Sequence, residues 1–325
     1  MAESPTILVI GPRWVGDMVM AQCLFSALRE LHPNAAIDVL APAWAAPLVK
    51  RMPEIRQQVD LPLKSGALEF RMRRRFGRLL RGHYDIAYVM PGSWKSALVP
   101  FFARIPRRVG YLKEMRYGLL TDIVALPDDV KRRTAQAYFG LAQGGTFHAP
   151  KLAVDTKNQA ALLGRFGPGA EFGPAKRWPS ERYAGLARDM MEKGFAVALF
   201  GSKNDAEVTA EIATLAPDVV DLAGQTRLED AIDLIAAARL AVSNDSGLMH
   251  VAAAVGTPIV AVYGSTSPHN TPPLAEQCEL VWLGLSCSPC HRKICPLGHL
   301  NCLNTLEVAQ VAAAAERLLE MPAAA

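Results

Sequence analysis

The chain has 325 residues, of which 50% are hydrophobic and 20% charged, and its net charge is +4. This composition is typical of a packed globular protein with room for two domains, and it excludes a disordered or fibrous chain. Because no secretory signal and no run of about 18 apolar residues occurs, we expect a cytoplasmic protein with no transmembrane segment. The modest net charge predicts no nucleic-acid partner.

The first half of the sequence alternates apolar strands with amphipathic helices. Thr6–Ile10 is predicted to be a strand that ends at Gly11, followed by a helix over residues 17–31. Further strands are predicted at residues 37–40 and 85–90. Strands and helices that alternate at this pitch indicate a parallel sheet with helices on both faces.

The second half repeats this pattern. Strands are predicted at residues 196–200, 240–243 and 259–263, each followed by a small or polar turn. Ligands of open α/β sheets bind at this carboxyl edge. A Gly- and Pro-marked stretch near residues 144–151 predicts the boundary between two doubly wound, Rossmann-like α/β domains, which we expect to face each other across a cleft. An Ala-rich helix over residues 306–321 ends the chain and is able to pack back on the first domain.

The loop after the first strand carries a carboxylate at an unusual position. Gly11 and Gly16 have the spacing of a phosphate-binding loop, but Asp17 and Met18 stand where that loop needs Lys and Ser or Thr. A carboxylate would repel a triphosphate, which argues against an NTPase. Two interpretations remain: Asp17 is a general base that takes a proton from an acceptor hydroxyl, or it only caps the helix.

A second candidate site lies after the strand at residues 240–243. Ser246 and Gly247 open a helix and offer backbone N–H groups to a diphosphate. Asp245 either borders that ligand or is a plain N-cap. His250, one turn along, is either a ligand contact or a core histidine.

The segment at residues 168–179 is rich in Gly and Pro and places Lys176 beside Arg177. A lysine on such a stiff loop is suited to stabilise the charge that develops on a leaving diphosphate. The alternative is an ordinary surface lysine.

Three of these segments, at residues 11–20, 168–179 and 244–254, together resemble the ADP-heptose–lipopolysaccharide heptosyltransferases. Further similar stretches occur at residues 41–44, 95–102 and 115–120, so that the resemblance spans nearly the whole chain. The combination is far more specific than any single motif.

The resemblance implies the GT-B fold, with an acceptor-binding domain at residues 1–150 and an ADP-sugar-binding domain at residues 151–325. It implies an inverting transfer of heptose from ADP-heptose to the inner core of a lipopolysaccharide precursor at the inner membrane leaflet. Peripheral association with that membrane fits such an acceptor.

The resemblance also assigns roles to the candidate residues. Asp17 becomes the catalytic base, and the residues implied to contact the donor are Lys176, Ser246 and Gly247 at the diphosphate, Asp245 and His250 at its border, and Asp205 near the ribose. No Asp-x-Asp motif occurs, so neither a metal nor another cofactor is predicted.

The family leads us to expect a strand immediately before Pro168, yet a helical pattern over residues 158–166 runs directly into Gly167. Either the polypeptide carries an internal deletion or its full-length sequence contains further residues here. Two alternative functions therefore stay open: a catalytically impaired nucleotide-sugar-binding protein, or another GT-B enzyme that uses a different donor.

Arginines dominate residues 71–81, where we expect Met72, Phe76, Leu79 and Leu80 to share one helical face and the arginines to lie on the other. The opposite face is either simply solvated or directed at an acidic glycolipid.

Four cysteines, Cys287, Cys290, Cys295 and Cys302, lie close together in the sequence. They either bind a structural zinc or iron ion or remain reduced and unliganded in a loop. We favour the unliganded loop because the predicted chemistry needs no metal.

Overall fold

The computed structural model describes residues 4–63, 66–166 and 178–321. The chain divides into two compact units, residues 1–150 and 151–325. None of the helices in the described ranges combines the length and apolar character needed to cross a bilayer.

The first unit is built on one six-stranded sheet with the order β3-β2-β1-β4-β5-β6, in which all neighbouring strands are parallel. The strands are β1 (Thr6–Ile10), β2 (Ala36–Ala41), β3 (Gln57–Asp60), β4 (Ile86–Val89), β5 (Arg107–Tyr111) and β6 (Asp122–Val124). The apolar runs of β1, β2 and β4 occupy the middle of the sheet and are buried, as strands covered on both faces must be.

The helices of this unit are α1 (Val15–Met20), α2 (Gln22–Leu31), α3 (Ala46–Val49), α4 (Phe70–Leu79), α5 (Leu98–Phe102) and α6 (Thr134–Gly140). The single helix predicted over residues 17–31 is therefore a pair, in which Ala21 alone separates α1 from α2. Helix α6 packs against both members of this pair.

Helix α4 buries only part of the apolar face that we predicted, since Phe76 and Leu80 pack against the core but Met72 and Leu79 do not. Arg73 and Gly77 are its buried residues, whereas Met72 and Leu79 are 41% and 66% exposed. The prediction was wrong for Met72 and Leu79, because the side of α4 that carries Gly77 faces α5, which approaches so closely that glycine is required at the contact. A Cβ atom on Gly77 would lie 2.6 Å from the carbonyl oxygen of Val99.

The strands of the second unit form two separate parallel sheets. One contains β7 (Ala198–Leu199) and β8 (Val220–Asp221), and the other has the order β11-β10-β9, made of β9 (Ala241–Asn244), β10 (Ile259–Tyr263) and β11 (Cys278–Trp282). The helices are α7 (Thr156–Phe166), α8 (Ser180–Glu192), α9 (Ala206–Leu215), α10 (Leu228–Ala237), α11 (Gly247–Ala254), α12 (Asn301–Asn304) and α13 (Val308–Glu320).

An apolar cavity of about 240 Å³ lies beside β7 and β9. Val197 precedes β7 and Val242 belongs to β9, and both line the cavity together with side chains of α8. Helix α7 spans residues 156–166, and within the described ranges no strand lies between α7 and α8 in the sequence. The expected strand before Pro168 is thus missing from the described residues, and β7 and β9 belong to sheets that are not joined by hydrogen bonds.

The C-terminal helix α13 packs against α8, β10 and β11 of its own unit. Its small side chains Ala314 and Ala315 are fully buried, which allows this close packing. Ser180 begins α8 but does not cap it, since its hydroxyl donates a hydrogen bond of 2.7 Å to Glu211.

The α4–α5 contact makes a testable prediction about stability. Replacing Gly77 by Ala should lower the free energy of unfolding by about 1–3 kcal/mol, because the added methyl group meets the backbone of α5. Gly164 in α7 is the matched control, since a Cβ there meets nothing within 4 Å. Gly164→Ala should be neutral or stabilising by up to about 1 kcal/mol. Equal denaturant midpoints for both variants would contradict the proposed tight contact.

Candidate active site

The turn that follows β1 holds Asp17 in the first turn of α1. Gly11 is needed there because a Cβ atom would lie 2.9 Å from Met18 and 3.1 Å from Val39. Trp14, which is 75% exposed, occupies the N-cap position of α1. Asp17 is therefore not the N-cap residue, although it lies close enough to the helix N-terminus for the dipole to favour its negative charge.

A tyrosine from α6 positions the Asp17 carboxylate. The Tyr138 hydroxyl donates a hydrogen bond of 3.2 Å to Asp17 Oδ1. Burial, and next the negative charge of Asp17, raise the pKa of Tyr138 well above its usual value, so that this hydroxyl keeps its proton and acts as a donor. Nothing in the sequence near Tyr138 pointed to this role, since 121 residues separate the two side chains.

Asp17 and Tyr138 line a cavity of about 380 Å³ in the first unit. The wall combines this acidic group with three cations, Arg13, Arg73 and Lys95, and with the loop residues Ser93 and Ser96. Such a mixture of one carboxylate and several cations suits a polar ligand that carries both hydroxyl and acidic groups.

Arg73 is the buried member of the arginine-rich stretch, with only 4% of its surface exposed. Its guanidinium group donates to the carbonyl oxygens of Leu68 at 2.6 Å and Lys95 at 3.1 Å. Burial, followed by the nearby charge of Arg13, lowers the pKa of Arg73, which nevertheless stays protonated because arginine is so basic. Lys95 is fixed as well, since its ammonium group donates to the Gly66 carbonyl at 2.5 Å.

The second candidate site begins where β9 ends. Ser246 is the N-cap of α11, and its hydroxyl accepts a hydrogen bond of 3.4 Å from the Met249 N–H. A further bond of 2.9 Å joins the Ser246 and Ser243 hydroxyls. Gly247 is the first helical residue, so its N–H is one of those that have no partner within α11 itself.

Asp245 and His250 flank this helix start and are both buried. Thr271 donates a hydrogen bond of 3.3 Å to Asp245 Oδ1, and the Asp245 N–H donates to the carbonyl of Val262 on β10 at 3.2 Å. Ser246, not Asp245, therefore caps α11, and the simple N-cap interpretation of Asp245 was wrong.

Asp205 lies in the turn after β7 and has a defined local role. Its Oδ2 accepts hydrogen bonds from the backbone N–H of Ser202 at 2.7 Å and from the Ser202 hydroxyl at 2.8 Å. Gly201 is forced to be glycine there, because a Cβ would lie 2.7 Å from Asp205 Cβ. Asp205 thus shapes this turn, on a different sheet from the one that carries Asp245.

Lys176 lies outside the described residues. Trp178, two residues further along the chain, is fully buried, and its backbone N–H donates a hydrogen bond of 3.3 Å to the side-chain oxygen of Asn244. Its indole N–H donates 2.9 Å to the carbonyl of Leu306. Trp178, which follows Lys176 by two residues, is thereby hydrogen-bonded to the residue that precedes Asp245.

The four clustered cysteines lie in and after the loop that follows β11. The Cys295 sulfur accepts hydrogen bonds from several backbone N–H groups. These bonds lower the pKa of Cys295, and the bond from Leu300 has the largest effect. Burial, and next the electrostatic influence of the other three cysteines, raise the pKa of Cys302. Within the described ranges, no group of three or more His, Cys, Asp or Glu side chains could hold a metal ion.

The predicted residues thus form two sets. Asp17 stands in the cationic cavity of the first unit, and Asp245, Ser246, Gly247 and His250 surround the start of α11 in the second. Sequence analysis missed Tyr138 and the inward orientation of Arg73.

Comparison with known proteins agrees with this architecture. Residues 73–301 match the model of glycosyltransferase family 9 (heptosyltransferase). The chain is 47% identical over 305 residues to lipopolysaccharide heptosyltransferase 2 of Salmonella typhimurium, covering 85% of this chain and 88% of that protein.

Solved structures are similar over almost the full length. The structure of Escherichia coli ADP-heptose lipopolysaccharide heptosyltransferase II superposes with a TM-score of 0.85 at 39% identity, covering 97% of this chain and 98% of that one. A family 9 glycosyltransferase from Veillonella parvula has a TM-score of 0.87 at 21% identity, covers 98% of both chains and supports the fold alone. The chain has the GT-B fold with two Rossmann-like domains, and it belongs to glycosyltransferase family 9, the heptosyltransferases.

Proposed function

We propose that this protein transfers heptose from ADP-heptose to the inner core of a lipopolysaccharide precursor, as an enzyme of the heptosyltransferase II type. The observation that carries the proposal is the Asp17 carboxylate, held by Tyr138 in a cavity whose other charged lining residues are the cations Arg13, Arg73 and Lys95. The 47% identity to a lipopolysaccharide heptosyltransferase 2 supports the choice of donor and acceptor.

The chemistry assigned to Asp17 is general base catalysis. An acceptor hydroxyl attacks the anomeric carbon of the donor while its proton passes to the Asp17 carboxylate, and the bond between that carbon and the β-phosphate oxygen breaks. The configuration at the anomeric carbon inverts in this single displacement. The hydrogen bond from Tyr138 holds Asp17 Oδ1 and so limits the orientations that the carboxylate can adopt.

The departing ADP becomes more negative as the bond breaks. We assign its diphosphate to the start of α11, where backbone N–H groups of Ser246 and Gly247 and the helix dipole favour an anion. Lys176 supplies the positive charge in this proposal, and Asp245 and His250 border the same donor. We place Asp205 near the ribose. Both hydrogen bonds from Ser202 go to Asp205 Oδ2, so Oδ1 is the oxygen assigned to the ribose.

The acceptor is assigned to the cavity of the first unit. Arg13, Arg73 and Lys95 match the acidic groups of a lipopolysaccharide inner core, while Asp17 faces the hydroxyl to be glycosylated. Because this acceptor is anchored in lipid, the enzyme is proposed to work in the cytoplasm at the inner leaflet of the inner membrane, as a peripheral protein.

The interrupted sheet of the second unit gives a specific reason to consider an impaired enzyme that binds nucleotide sugar without turning it over. Incubation with ADP-heptose and a truncated core acceptor, followed by mass spectrometry, separates the possibilities. Gain of one heptose by the acceptor supports the proposed transfer. Binding of ADP without consumption of ADP-heptose identifies the impaired protein, and turnover of another nucleotide sugar instead identifies a different donor.

Replacing Asp17 by Asn should abolish turnover while ADP binding is largely retained, since the amide cannot take the proton. We expect a loss of about 10²-fold or more in kcat. Asp128→Asn, an equivalent change at an exposed carboxylate of the same unit, should leave kcat unchanged. An Asp17→Asn enzyme that retains most of its activity would remove Asp17 from the role of base.

Replacing Lys176 by Ala should raise KM for ADP-heptose and lower kcat together, because the lysine interacts with the diphosphate both before and during its departure. Steady-state kinetics with varied donor concentration measure both constants. Lys157→Ala, at an exposed position in α7, is the control. Donor kinetics unaffected by Lys176→Ala would show that Lys176 does not contact the diphosphate.

A further inference from the structure

Helices α4 and α5 present a strongly basic surface that the catalytic proposal does not use. Residues 70–83 and 93–108 together contain nine arginines and one lysine but neither Asp nor Glu. The whole chain carries 35 basic and 31 acidic residues, so these two segments hold an excess larger than the net charge of +4. Positive charge is therefore concentrated on one part of the first unit.

Seven arginines in these segments are exposed. Arg107 forms an ion pair with Asp122, and the other six are Arg71, Arg74, Arg75, Arg78, Arg81 and Arg104. In the part of the chain that the structure describes, none of these six forms an ion pair with a carboxylate. Desolvation and the like charges of Arg104, Arg78 and Arg74 lower the pKa of Arg81. The arginines thus repel one another, and an external array of negative charge would relieve that repulsion.

Large apolar side chains stand among these arginines. Phe70 and Leu79 of α4 are 45% and 66% exposed, and Phe101 of α5 is 39% exposed. Phe102 joins the two helices, because its ring makes edge-to-face contacts with Phe70 and with Phe101, each at 5.4 Å between centroids. We define the α4–α5 face as the exposed residues Phe70, Arg71, Met72, Arg74, Arg75, Arg78, Leu79, Arg81, Phe101 and Arg104.

The helical spacing explains how charged and apolar groups share this face. Arg71, Arg75 and Arg78 follow one another at intervals of four and three residues and form one line along α4. Met72 and Leu79, seven residues apart, form the neighbouring line. Because the buried contact with α5 is centred on Gly77, both lines point away from the protein.

We infer that the α4–α5 face docks on a lipid bilayer with anionic headgroups, the arginines contacting phosphates and the apolar side chains entering the interface. Helices that lie in the plane of a membrane combine basic and apolar residues in this way. A nucleic acid would satisfy the arginines, but it would leave the aliphatic Met72 and Leu79 side chains without an apolar environment. The inference rests on the proposed function only for the identity of the lipid-anchored acceptor.

The test is sedimentation of the full-length protein with vesicles of phosphatidylcholine alone or mixed with phosphatidylglycerol. Wild-type protein should bind the mixed vesicles at least ten-fold more tightly than the neutral ones. The double variant R74E/R78E should lose about 10²-fold or more of its affinity for mixed vesicles, since each basic residue near an anionic surface contributes roughly five-fold. Leu79→Gln, which keeps the net charge, should lower the affinity several-fold.

The double variant R292E/K293E is the matched control, because it makes the same change in net charge at exposed positions of the second unit. It should bind mixed vesicles nearly as tightly as the wild type. Equal sedimentation of the two double variants, or equal binding of wild-type protein to neutral and mixed vesicles, would overturn the inference. Tighter binding to a short RNA than to the mixed vesicles would assign the face to nucleic acid instead.

A soluble acceptor separates this inference from the proposed function. With ADP-heptose and a delipidated core oligosaccharide, R74E/R78E should keep wild-type kcat, because neither arginine lines the Asp17 cavity. If wild-type protein binds mixed vesicles yet transfers no heptose, the proposed function fails and the docking surface stands. Loss of soluble turnover in R74E/R78E with unchanged circular dichroism would place these arginines at the acceptor and contradict the inference.

Discussion

The hydrogen bond between Tyr138 and Asp17 is the interaction on which the proposed chemistry depends. A carboxylate next to a helix N-terminus and several cations is stabilised as an anion, which makes it a weaker base, but it must also keep one orientation. The Tyr138 hydroxyl, kept protonated by burial, supplies that orientation. Its position requires α6 to pack on α1 and α2, so the geometry of the proposed base follows from the helical layer and not from the loop alone.

The second unit faces a different constraint. In a continuous parallel sheet, ladder hydrogen bonds fix the relative positions of the turns that bind a ligand. Here the turns of Asp205 and Asp245 follow strands of two separate sheets. Packing around α8 and α13, and the bond from the Trp178 N–H to Asn244, must then position these turns. Side-chain packing is adaptable where a ladder is not, so the proposed donor site is the part of the second unit most sensitive to the absence of a strand between α7 and α8 in the described residues.

Strands buried on both faces were predictable because they are continuous apolar runs. Thr6–Ile10 and Ile259–Tyr263 have the predicted bounds. The edge strand Gln57–Asp60 was not predicted, because its polar side chains carry no strand periodicity and its pairing with β2 creates it. The predicted α/β class with two Rossmann-like domains is correct because alternating elements depend on local patterns.

The site was predictable only where a local motif defines it. Asp17 lies in the first turn of the helix that follows β1, and residues 245–247 come directly after β9; sequence alone indicates a ligand edge where strands end. Tyr138 joins the candidate site from a distant helix, and Arg73 can be buried because the carbonyl oxygens of Leu68 and Lys95 accept hydrogen bonds from its guanidinium group. Both features arise from tertiary contacts. No periodicity in a run of arginines distinguishes the one that turns inward.

The inward turn of Arg73 gives α4 two functions at once. Arg73 reaches the cavity that contains Asp17, whereas its neighbour Arg74 is exposed on the α4–α5 face. Gly77 fixes which side of the helix is buried, since α5 tolerates no side chain there. A single helix only 10 residues long therefore separates the proposed acceptor cavity from the proposed membrane surface. An acceptor whose lipid stays in the bilayer has to span only this short distance, because such a helix with its side chains is about 10–12 Å across.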